Sequence, residues 1–331
     1  MKTKRIAING FGRIGRTLTR LLMLESSVEV VAINDLADAH TMAHLFKYDS
    51  IHGKWNGSVE TTADELQIDG KKMGYTAEKD ASKLPWHRHD IDVVIECTGT
   101  MKHRAEIEQH LQAGAKRVLL SAPPEDESIT TIVLGVNDQL INADDKVLSN
   151  ASCTTNNAAP MIQLLDELCG IEGCYITTVH SYTGDQRLHD APHRDLRRSR
   201  AAAQSIIPTT TGAAKALTRI FPHLSERMGG CGIRVPVPNG SLTDITCTVR
   251  HILSIDEVNA AFKHAANNRW QNIVEYTEDP IVSVDIINNP HSCVFDAQLT
   301  SVIGNMVKVV GWYDNEYGYS SRLRDLILKL N

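Results

Sequence analysis

The chain has 331 residues, enough for two domains, and its 42% hydrophobic and 22% charged content is ordinary for a soluble globular protein. Its formal net charge of −6 gives no reason to expect nucleic acid or a membrane surface as a partner. The 7 cysteines include no Cys-x-x-Cys pair, and no apolar run reaches about eighteen residues, so zinc ribbons, thioredoxin-like motifs and transmembrane helices are not expected.

The N-terminal residues lead directly into a short apolar stretch and lack the long apolar segment of a signal peptide. An odd number of cysteines without paired spacings fits a reducing compartment. We therefore expect a cytoplasmic protein with no metal site, no membrane contact and no nucleic-acid partner.

A glycine-rich loop follows the first predicted strand and precedes a helical pattern. Gly10 permits a tight turn, Gly12 lets the backbone approach a pyrophosphate, and Gly15 allows close packing of helix on strand. A second strand, residues 28–33, ends just before Asp35, at the spacing where an acid binds the adenosine ribose hydroxyls. Together these features predict a dinucleotide-binding domain.

Further elements follow in an order that alternates strands with helices, as in a doubly wound fold. Apolar spacing predicts helices at 41–46 and 105–113, and strands at 92–96, 117–120, 132–134 and 146–148, with short strands between 58 and 73 joined at Asp69-Gly70. Small residues end two of these strands, at Thr98-Gly99 and Ser121-Ala122. They are either cofactor contacts or plain turn residues.

One cysteine, Cys153, lies in a run of small polar residues near the middle of the chain. A free thiol has a pKa of about 8.5, which a nearby imidazolium or a helix N-terminus lowers. His180 ends a strand-like stretch and could pair with it, and apolar spacing predicts a helix soon after Cys153. Pro160 implies that this helix begins near Ala159 or bends there. A catalytic thiol and a buried structural thiol both remain open on this motif alone.

The second half carries several candidate anion sites. The polar segment 181–200 holds five arginines, which could form a nucleic-acid patch, an anionic-substrate loop or a subunit contact. The absence of aromatic residues after Tyr182 in this segment weakens the nucleic-acid interpretation. Residues 208–216 predict a hydroxyl-rich turn that caps a helix or holds a phosphate. Arg234, within an apolar strand, needs either an anionic ligand or an ion pair.

The remaining pattern indicates an α+β domain with a largely antiparallel sheet. Strands are predicted at 232–237, 242–252, 281–287, 292–295 and 306–312, with a helix at 255–268 and a last amphipathic helix at 320–330. The expected fold is α/β, a Rossmann-type NAD domain followed by an α+β catalytic domain.

Six motifs resemble those of the phosphorylating glyceraldehyde-3-phosphate dehydrogenases, and the resemblance covers essentially the whole chain. They are Asn9-Gly10-Phe11-Gly12-Arg13-Ile14-Gly15-Arg16, Ser152-Cys153-Thr154-Thr155-Asn156, His180-Ser181-Tyr182-Thr183, Thr211-Gly212-Ala213-Ala214-Lys215, Arg234-Val235-Pro236 and Trp312-Tyr313-Asp314-Asn315-Glu316-Tyr317-Gly318-Tyr319. The resemblance implies a homotetramer that oxidises glyceraldehyde 3-phosphate with NAD and inorganic phosphate to 1,3-bisphosphoglycerate. It also implies that each protomer has an NAD-binding domain at 1–151, a catalytic domain at 152–315, and a C-terminal helix at 316–331 that packs back on the first domain.

Carried over residue by residue, the resemblance implies that Cys153 attacks the aldehyde and His180 accepts the hydroxyl proton. A thioester then forms and is cleaved by inorganic phosphate. Thr183 and Arg234 are implied to hold the substrate phosphate. The implied site for the attacking phosphate comprises Ser152, Thr154, Thr211 and Gly212, with Arg197 nearby. The implied NAD contacts are Phe11, Gly12, Arg13, Ile14, Asp35, Ser121 and Asn315.

Two departures from the family pattern stand out. Asn157 replaces the usual second cysteine, which is not catalytic in the family, so thiol oxidation could differ. Ala191-Pro192 lies between the patterns of NAD and NADP forms, but Asp35 disfavours NADP because its carboxylate would meet the 2′-phosphate.

Two alternative functions stay open from the sequence. An erythrose-4-phosphate dehydrogenase is suggested by residues 34–39, 84–86 and 290–292, although Thr183 and Thr211-Gly212 favour glyceraldehyde 3-phosphate. A non-enzymatic NAD- or RNA-binding protein is the alternative from another class. The sequence leaves the physiological direction of the reaction undecided.

Overall fold

The computed structural model describes residues 3–330. The described chain divides into two compact units. The first comprises the chain up to Ile132, Gln139–Ala151 and the residues from Ser320 onward. The second comprises Val133–Asp138 and Ser152–Tyr319.

The helices and strands are numbered along the chain. The helices are α1 (Arg13–Leu22), α2 (Ala39–Lys47), α3 (Arg104–Ile107), α4 (Gln109–Gln112), α5 (Cys153–Cys169), α6 (Gly212–Ile220), α7 (Ile255–Asn267) and α8 (Tyr317–Lys329). The strands are β1 (Lys4–Asn9), β2 (Val28–Asn34), β3 (Tyr48–Asp49), β4 (Gly53–Lys54), β5 (Val59–Thr61), β6 (Glu65–Ile68), β7 (Lys71–Thr76), β8 (Val93–Glu96), β9 (Arg117–Leu120), β10 (Thr130–Thr131), β11 (Val147–Ser149), β12 (Ile171–Ser181), β13 (Ile207–Thr209), β14 (Met228–Val235), β15 (Ser241–Val249), β16 (Val274–Thr277), β17 (Cys293–Asp296), β18 (Ser301–Ile303) and β19 (Met306–Tyr313).

The first unit is built on a doubly wound sheet whose order is β10-β11-β9-β8-β1-β2-β7-β6-β5. The strands from β10 to β7 pair in parallel, and β6 and β5 continue as an antiparallel meander. The connection direction reverses between β1 and β8, which is where such sheets bind nucleotides. The predicted Rossmann-type fold is confirmed.

The buried strands of this sheet are short apolar runs because both of their faces are covered. All four residues of β8 are buried, and the apolar cluster around Trp86 draws side chains from β1, β2, β8, β9 and β11. The predicted Asp69-Gly70 turn joins β6 to β7, and both residues have positive φ, 49° and 79°. That geometry suits a two-residue hairpin loop.

The first unit also contains most of the last helix. The Lys4 ammonium, at the start of β1, donates to the carbonyl oxygen of Ile327 at 2.6 Å and to that of Leu330. These carbonyls lie at the end of α8. A cation at a helix C-terminus satisfies carbonyls that have no partner within the helix.

The second unit is built on a largely antiparallel sheet, as predicted. Its order is β13-β14-β12-β15-β19-β17-β16, with β18 also paired to β19. Only β12–β14 and β16–β17 pair in parallel within the described residues. Helix α5 packs on β15 and β19, and Phe262 of α7 stacks on Phe295 of β17 with ring centroids 3.9 Å apart.

Two predicted strands are wrong, for one physical reason. Residues 132–134 and 281–287 form turns in which polar side chains accept backbone N–H groups that a strand would need. Asn137 Oδ1 accepts from Val133 N at 2.7 Å, and Asp285 Oδ2 accepts from Val282 N at 2.8 Å. The predicted helix 105–113 is divided at Glu108 into α3 and α4.

Helix α5 begins at Cys153 and contains Pro160, so of the two alternatives for this helix the start near Ala159 does not hold. Ser152 caps the helix by accepting from Thr155 N at 3.1 Å. Residues 154–162 are all buried. Burial of this length of helix offsets the hydrogen bond that proline cannot make.

Candidate active site

The thiol of Cys153 lies within the second unit, on the first residue of α5. Its Sγ is 3.5 Å from Nε2 of His180, the penultimate residue of β12. The helix N-terminus directs its backbone N–H groups and the positive end of its dipole toward the sulfur. Strand and helix therefore bring together the thiol and the imidazole that the sequence predicted as a pair.

A guanidinium approaches His180 on its other side. Arg234 is the register partner of His180 in the β12–β14 pairing, and its Nη1 lies 2.6 Å from His180 Nδ1. The same Nη1 donates to the Ser181 carbonyl oxygen at 2.9 Å, and His180 Nδ1 is 2.7 Å from that oxygen. His180 is 5% exposed, so water cannot easily replace either contact.

These contacts define two alternative tautomers of His180. If Nδ1 accepts from Arg234, the ring proton is on Nε2, which can only donate toward Cys153. If Nδ1 donates to the Ser181 carbonyl, Nε2 is free to accept a proton. An anion that engages Arg234 competes with Nδ1 for its hydrogen bond and therefore favours the second tautomer.

The surroundings of Cys153 and His180 change the pKa values of both groups. Burial, followed by the positive charge of Arg234, lowers the pKa of His180 to about 3, against the opposing effect of the Ser181 carbonyl. Although Cys153 is only half-buried, its sulfur lies deep enough that burial raises the pKa of the thiol. Arg234 and the backbone of Thr154 act in the opposite direction on the thiol. Arg234 thus favours loss of a proton from either member of the pair.

The glycine loop lies within the first unit and fits a dinucleotide. A Cβ added to Gly10, whose φ is +91°, would lie 2.7 Å from the Thr98 backbone nitrogen, so only glycine fits there. A Cβ on Gly12 would meet nothing within 4 Å, and no described side chain caps α1 at this residue. The open space and the uncapped N–H groups of α1 match the needs of a pyrophosphate.

Asp35 is fixed beside this loop at the end of β2. Its Oδ2 accepts from the Phe11 backbone nitrogen at 2.7 Å, and its Oδ1 accepts from Ala37 N at 3.0 Å. Each carboxylate oxygen retains a further lone pair for a ribose hydroxyl. The described residues therefore fit the adenosine half of the cofactor.

Comparison with known proteins gives two family models and full-length relatives. The NAD binding domain model of glyceraldehyde 3-phosphate dehydrogenase matches residues 4–104, and the C-terminal domain model matches residues 152–315. The chain is 53% identical over 327 residues to glyceraldehyde-3-phosphate dehydrogenase 2 of Streptomyces avermitilis, covering 98% of this chain and 97% of the relative. It is 49% identical over 329 residues to glyceraldehyde-3-phosphate dehydrogenase 2 of Bacillus subtilis, covering 99% and 96% of the two chains.

The chain belongs to the glyceraldehyde-3-phosphate dehydrogenase family. This confirms the family predicted from the motifs, the oxidoreductase class and NAD as the cofactor. Similar coverage is found for glyceraldehyde-3-phosphate dehydrogenase of Mycobacterium avium, which is 48% identical over 332 residues, or 98% of each chain.

The predicted phosphate-binding residues of this family member differ in their surroundings. Thr211 caps α6 by accepting from Ala213 N at 3.2 Å, and Gly212 opens that helix in an exposed position. Thr183 N donates to Gln186 Oε1 at 3.2 Å. The Thr154 hydroxyl is 2.8 Å from the Tyr313 hydroxyl in a buried position, so its side chain is already engaged.

Arg198, rather than the predicted Arg197, is in electrostatic contact with His180 and Arg234. Arg197 is exposed, and its backbone nitrogen donates to Asp195 Oδ1 at 2.9 Å. Arg198 Nε donates to Thr209 Oγ1 at 2.9 Å, and its charge lowers the pKa values of both His180 and Arg234, after the larger effect of burial on each. Sequence reasoning missed Arg198 because nothing in an irregular loop distinguishes two adjacent arginines.

Tyr313, at the end of β19, is a second residue that sequence reasoning left without a role. Its ring meets the His180 ring edge-on with centroids 5.9 Å apart, and its hydroxyl is 2.9 Å from Thr178 Oγ1. Burial raises its pKa above the usual range. It therefore holds one side of the imidazole as a neutral phenol. The one sequence feature that could have pointed to Tyr313 is its place in the same motif as Asn315.

The other predicted NAD contacts have distinct partners. Phe11 is buried and stacks on Phe46 with centroids 6.1 Å apart, Arg13 pairs with Asp49, and Ile14 is half-buried in the first turn of α1. Ser121 follows β9 and its nitrogen donates to the Glu96 carbonyl oxygen at 3.0 Å.

Asn315 lies in the second unit, where its side-chain oxygen is already occupied. Asn315 Oδ1 accepts from Ser181 Oγ at 2.8 Å, Ser241 Oγ at 2.9 Å and Gly240 N at 3.2 Å. Only its amide nitrogen can then serve a ligand, as a donor.

The arginine-rich segment has no regular secondary structure between residues 182 and 206. Several of its arginines are engaged within the segment, with Arg198 on Asp185 at 2.8 Å and Arg200 on Asp190 at 2.9 Å. The side chains of Leu188, Leu196 and Ile206 are 72%, 83% and 70% exposed. Paired charges beside exposed apolar side chains favour a protein contact over a nucleic-acid patch.

Between residues 3 and 330, no helix has both the length and the apolar character needed to cross a bilayer. The same residues hold no group of three or more His, Cys, Asp or Glu side chains arranged to bind a metal ion.

Proposed function

We propose that the chain catalyses the NAD-dependent oxidative phosphorylation of glyceraldehyde 3-phosphate to 1,3-bisphosphoglycerate. The observation that carries this proposal is the 3.5 Å approach of Cys153 Sγ to His180 Nε2 at the start of α5, in a chain of this family. The polar groups that surround Cys153 and His180 are compatible with this reaction.

The proposed reaction begins when the Cys153 sulfur adds to the aldehyde carbon. His180 Nε2 then accepts the proton of the resulting hydroxyl while the carbon loses its hydride. Bound NAD supplies the acceptor for that hydride. The thioester on Cys153 is cleaved by inorganic phosphate, which releases the acyl phosphate and regenerates the thiolate.

Two anion sites are proposed around the pair. Arg234 and Thr183 hold the phosphate of the aldehyde, and Ser152, Thr154, Thr211 and Gly212 hold the attacking phosphate. The N-terminal N–H groups of α6 support the second site. Beside it we keep Arg197 as the predicted residue and add Arg198, which the contact with Thr209 supports better.

We further propose that NAD is bound by Phe11, Gly12, Arg13, Ile14, Asp35 and Ser121 of an NAD-binding domain at 1–151, and by Asn315. The catalytic domain is proposed at 152–315, with the helix of 316–331 belonging to the first domain. Asp35 supports a preference for NAD over NADP, because two acceptor oxygens repel a 2′-phosphate. The direction of the reaction in the cell is left open.

We also propose a cytoplasmic homotetramer. The exposed side chains of Leu188, Leu196 and Ile206 support assembly, because they would otherwise remain in contact with water. Analytical ultracentrifugation at micromolar concentration tests this part. A monomer would contradict it.

Steady-state kinetics with glyceraldehyde 3-phosphate and erythrose 4-phosphate, each with NAD and NADP, tests the activity. We expect the higher kcat/KM with glyceraldehyde 3-phosphate and NAD, and dependence on inorganic phosphate. Thr183→Ala and Thr211→Ala should each lower kcat/KM about ten- to hundredfold, as expected for lost hydrogen bonds to a charged group. Equal or higher kcat/KM with erythrose 4-phosphate would overturn the substrate assignment, and no activity with either aldehyde would favour a binding protein.

A further inference from the structure

Glu96, the last residue of β8, is a carboxylate with no exposed surface. It accepts from Asn9 Nδ2 at 2.5 Å and from the Thr98 backbone nitrogen at 2.8 Å, and it lies 3.1 Å from His110 Nε2. The Thr98 hydroxyl also contacts it. These groups belong to the first unit and have no role in the proposed reaction.

The hydrogen-bond direction from His110 is fixed by a group that can only donate. The indole Nε1 of Trp86 donates to His110 Nδ1 at 3.0 Å, so Nδ1 carries no proton. The single ring proton is therefore on Nε2 and is donated to Glu96. The ring is neutral in this arrangement.

The direction from Asn9 is fixed by a backbone peptide. Asn34 Oδ1 accepts from Glu78 N at 2.9 Å, and Asn34 Nδ2 donates to the Glu78 carbonyl at 2.9 Å. Asn34 Nδ2 also donates to Asn9 Oδ1 at 2.7 Å. The remaining amide nitrogen of Asn9 must then face Glu96.

Donors from Asn9, His110 and the Thr98 backbone thus converge on Glu96, the arrangement that suits an ionised carboxylate. Among residues 3–330, its sole ion-pair contact is the ring of His110, which Trp86 keeps neutral. Glu96 is therefore a buried negative charge that is stabilised by neutral dipoles and not by a cation. Such a charge acts on its surroundings with little screening.

The sheet order places this charge relative to the cofactor, given the proposed NAD site on which this inference rests. Asp35 directly follows β2 and marks the adenosine ribose, and the loop after β1 marks the pyrophosphate. The next strand in the sheet is β8. The nicotinamide half of an extended dinucleotide therefore lies toward the carboxyl end of β8, where Glu96 is buried.

We propose that Glu96 discriminates between the two oxidation states of the cofactor: its negative charge favours the positively charged nicotinamide ring of NAD over the uncharged ring of NADH. Hydride transfer removes the positive charge from the ring, so the reduced form loses this attraction. A charge acting over about 10 Å at an intermediate effective dielectric changes the ratio of two dissociation constants about tenfold. For a two-electron couple, a tenfold ratio corresponds to about 30 mV in the potential of the bound cofactor.

Titration calorimetry of the cofactor-free full-length chain with NAD and with NADH tests the proposal. Glu96→Gln keeps the shape and removes the charge, and it should lower the ratio Kd(NADH)/Kd(NAD) about tenfold. The matched control is Asp92→Asn, which removes a carboxylate just before the opposite end of β8, where Asp92 accepts from Arg5 N at 2.8 Å. The ratio Kd(NADH)/Kd(NAD) of Asp92→Asn should stay within twofold of that of the unmodified chain.

A merely structural role for Glu96 predicts that both dissociation constants rise equally in Glu96→Gln, and that result would overturn the proposal. If Glu96→Gln does not fold, as judged by circular dichroism, the unmodified chain is titrated with a dinucleotide in which benzene replaces the pyridinium ring. It should bind about tenfold more weakly than NAD, and equal affinity would again overturn the proposal. If neither NAD nor NADH binds the unmodified chain, the proposed function fails instead.

Discussion

His180 and Arg234 are direct register partners on β12 and β14, and their side chains meet at Nδ1 and Nη1, 2.6 Å apart. One cation therefore contacts the imidazole whose opposite nitrogen faces the thiol. Because the thiol and the imidazole are coupled, their protons leave in two steps that belong to the pair. A positive charge beside the pair lowers the pH at which each step occurs.

Replacing Arg234 with Gln should shift the pH profile of Cys153 alkylation to higher pH by about one unit, as expected for loss of a nearby charge. The shift is toward higher pH because Cys153 and His180 both hold their protons more tightly without the positive charge of Arg234. The rate of iodoacetamide labelling between pH 5 and 10 measures the shift. Arg234→Lys keeps the charge and should shift the profile less, whereas a shift to lower pH would contradict the arrangement.

Cys153 should be the first cysteine to react with iodoacetamide. Cys169, Cys174, Cys247 and Cys293 are buried, and burial raises the pKa of Cys97 to about 12. Cys153 alone of the described cysteines combines a helix N-terminus with contact to His180. Peptide mapping after brief labelling at pH 7.5 should find it modified about tenfold or more ahead of the rest.

The informative competitor in that experiment is Cys231, which is half-buried and lies 3.8 Å from Thr177 Oγ1. Earlier labelling of Cys231 than of Cys153 would remove the support for an activated thiol. Cys153→Ser should abolish the fast phase and the dehydrogenase activity while leaving NAD binding intact.

Gly10 and Gly12 should respond differently to replacement with Ala. Gly10→Ala places a methyl group 2.7 Å from the Thr98 nitrogen and in a left-handed backbone conformation, so it should lower the free energy of unfolding by about 2 kcal/mol or more. Gly12→Ala meets no atom, and its stability should stay within about 0.5 kcal/mol. Urea unfolding of the cofactor-free chain measures both.

The two glycine variants also distinguish an effect on folding from an effect on NAD binding. Gly12→Ala should still weaken NAD binding, because its methyl group enters the space that the pyrophosphate needs. Unchanged affinity for NAD in a folded Gly12→Ala variant would mean that the phosphates do not approach this residue.

Arg198→Leu should raise the KM for inorganic phosphate about tenfold or more. That factor corresponds to the free energy of one lost hydrogen bond to a charged group. Arg198 is 20% exposed and held by Asp185, whereas Arg197 is exposed. Arg197→Leu is the matched comparison and should raise this KM by a smaller factor, because an exposed guanidinium is screened by water. The reverse ranking would make Arg197 the main phosphate ligand.

The elements that sequence predicted well are those whose pattern depends on local chemistry. The glycine loop, Asp35 and the Asp69-Gly70 hairpin each follow from backbone constraints within a few residues. The approach of Cys153 to His180 depends on β12 lying beside the start of α5. The sequence supplied only the residue types and the resemblance for that contact.

The errors also have specific physical causes. Residues 281–287 alternate like a strand, yet Asp285 captures the Val282 N–H and closes a turn. Pro160 is tolerated inside α5 because the helix around it is buried, and burial depends on the tertiary structure. The network around Glu96 joins β1, β2, β8 and α4, so no local window of the sequence could reveal it.

The Lys4 ammonium has consequences for synthesis of the chain. Its partner carbonyl on Ile327 is 323 residues away, so the first strand is made long before its helical partner. At the usual elongation rates, that interval is roughly 15 to 65 s. The nascent first unit must stay incomplete, or be shielded, where the apolar side chains of α8 are later buried. Truncation before α8 should therefore leave a chain that is released from the ribosome but is prone to aggregate.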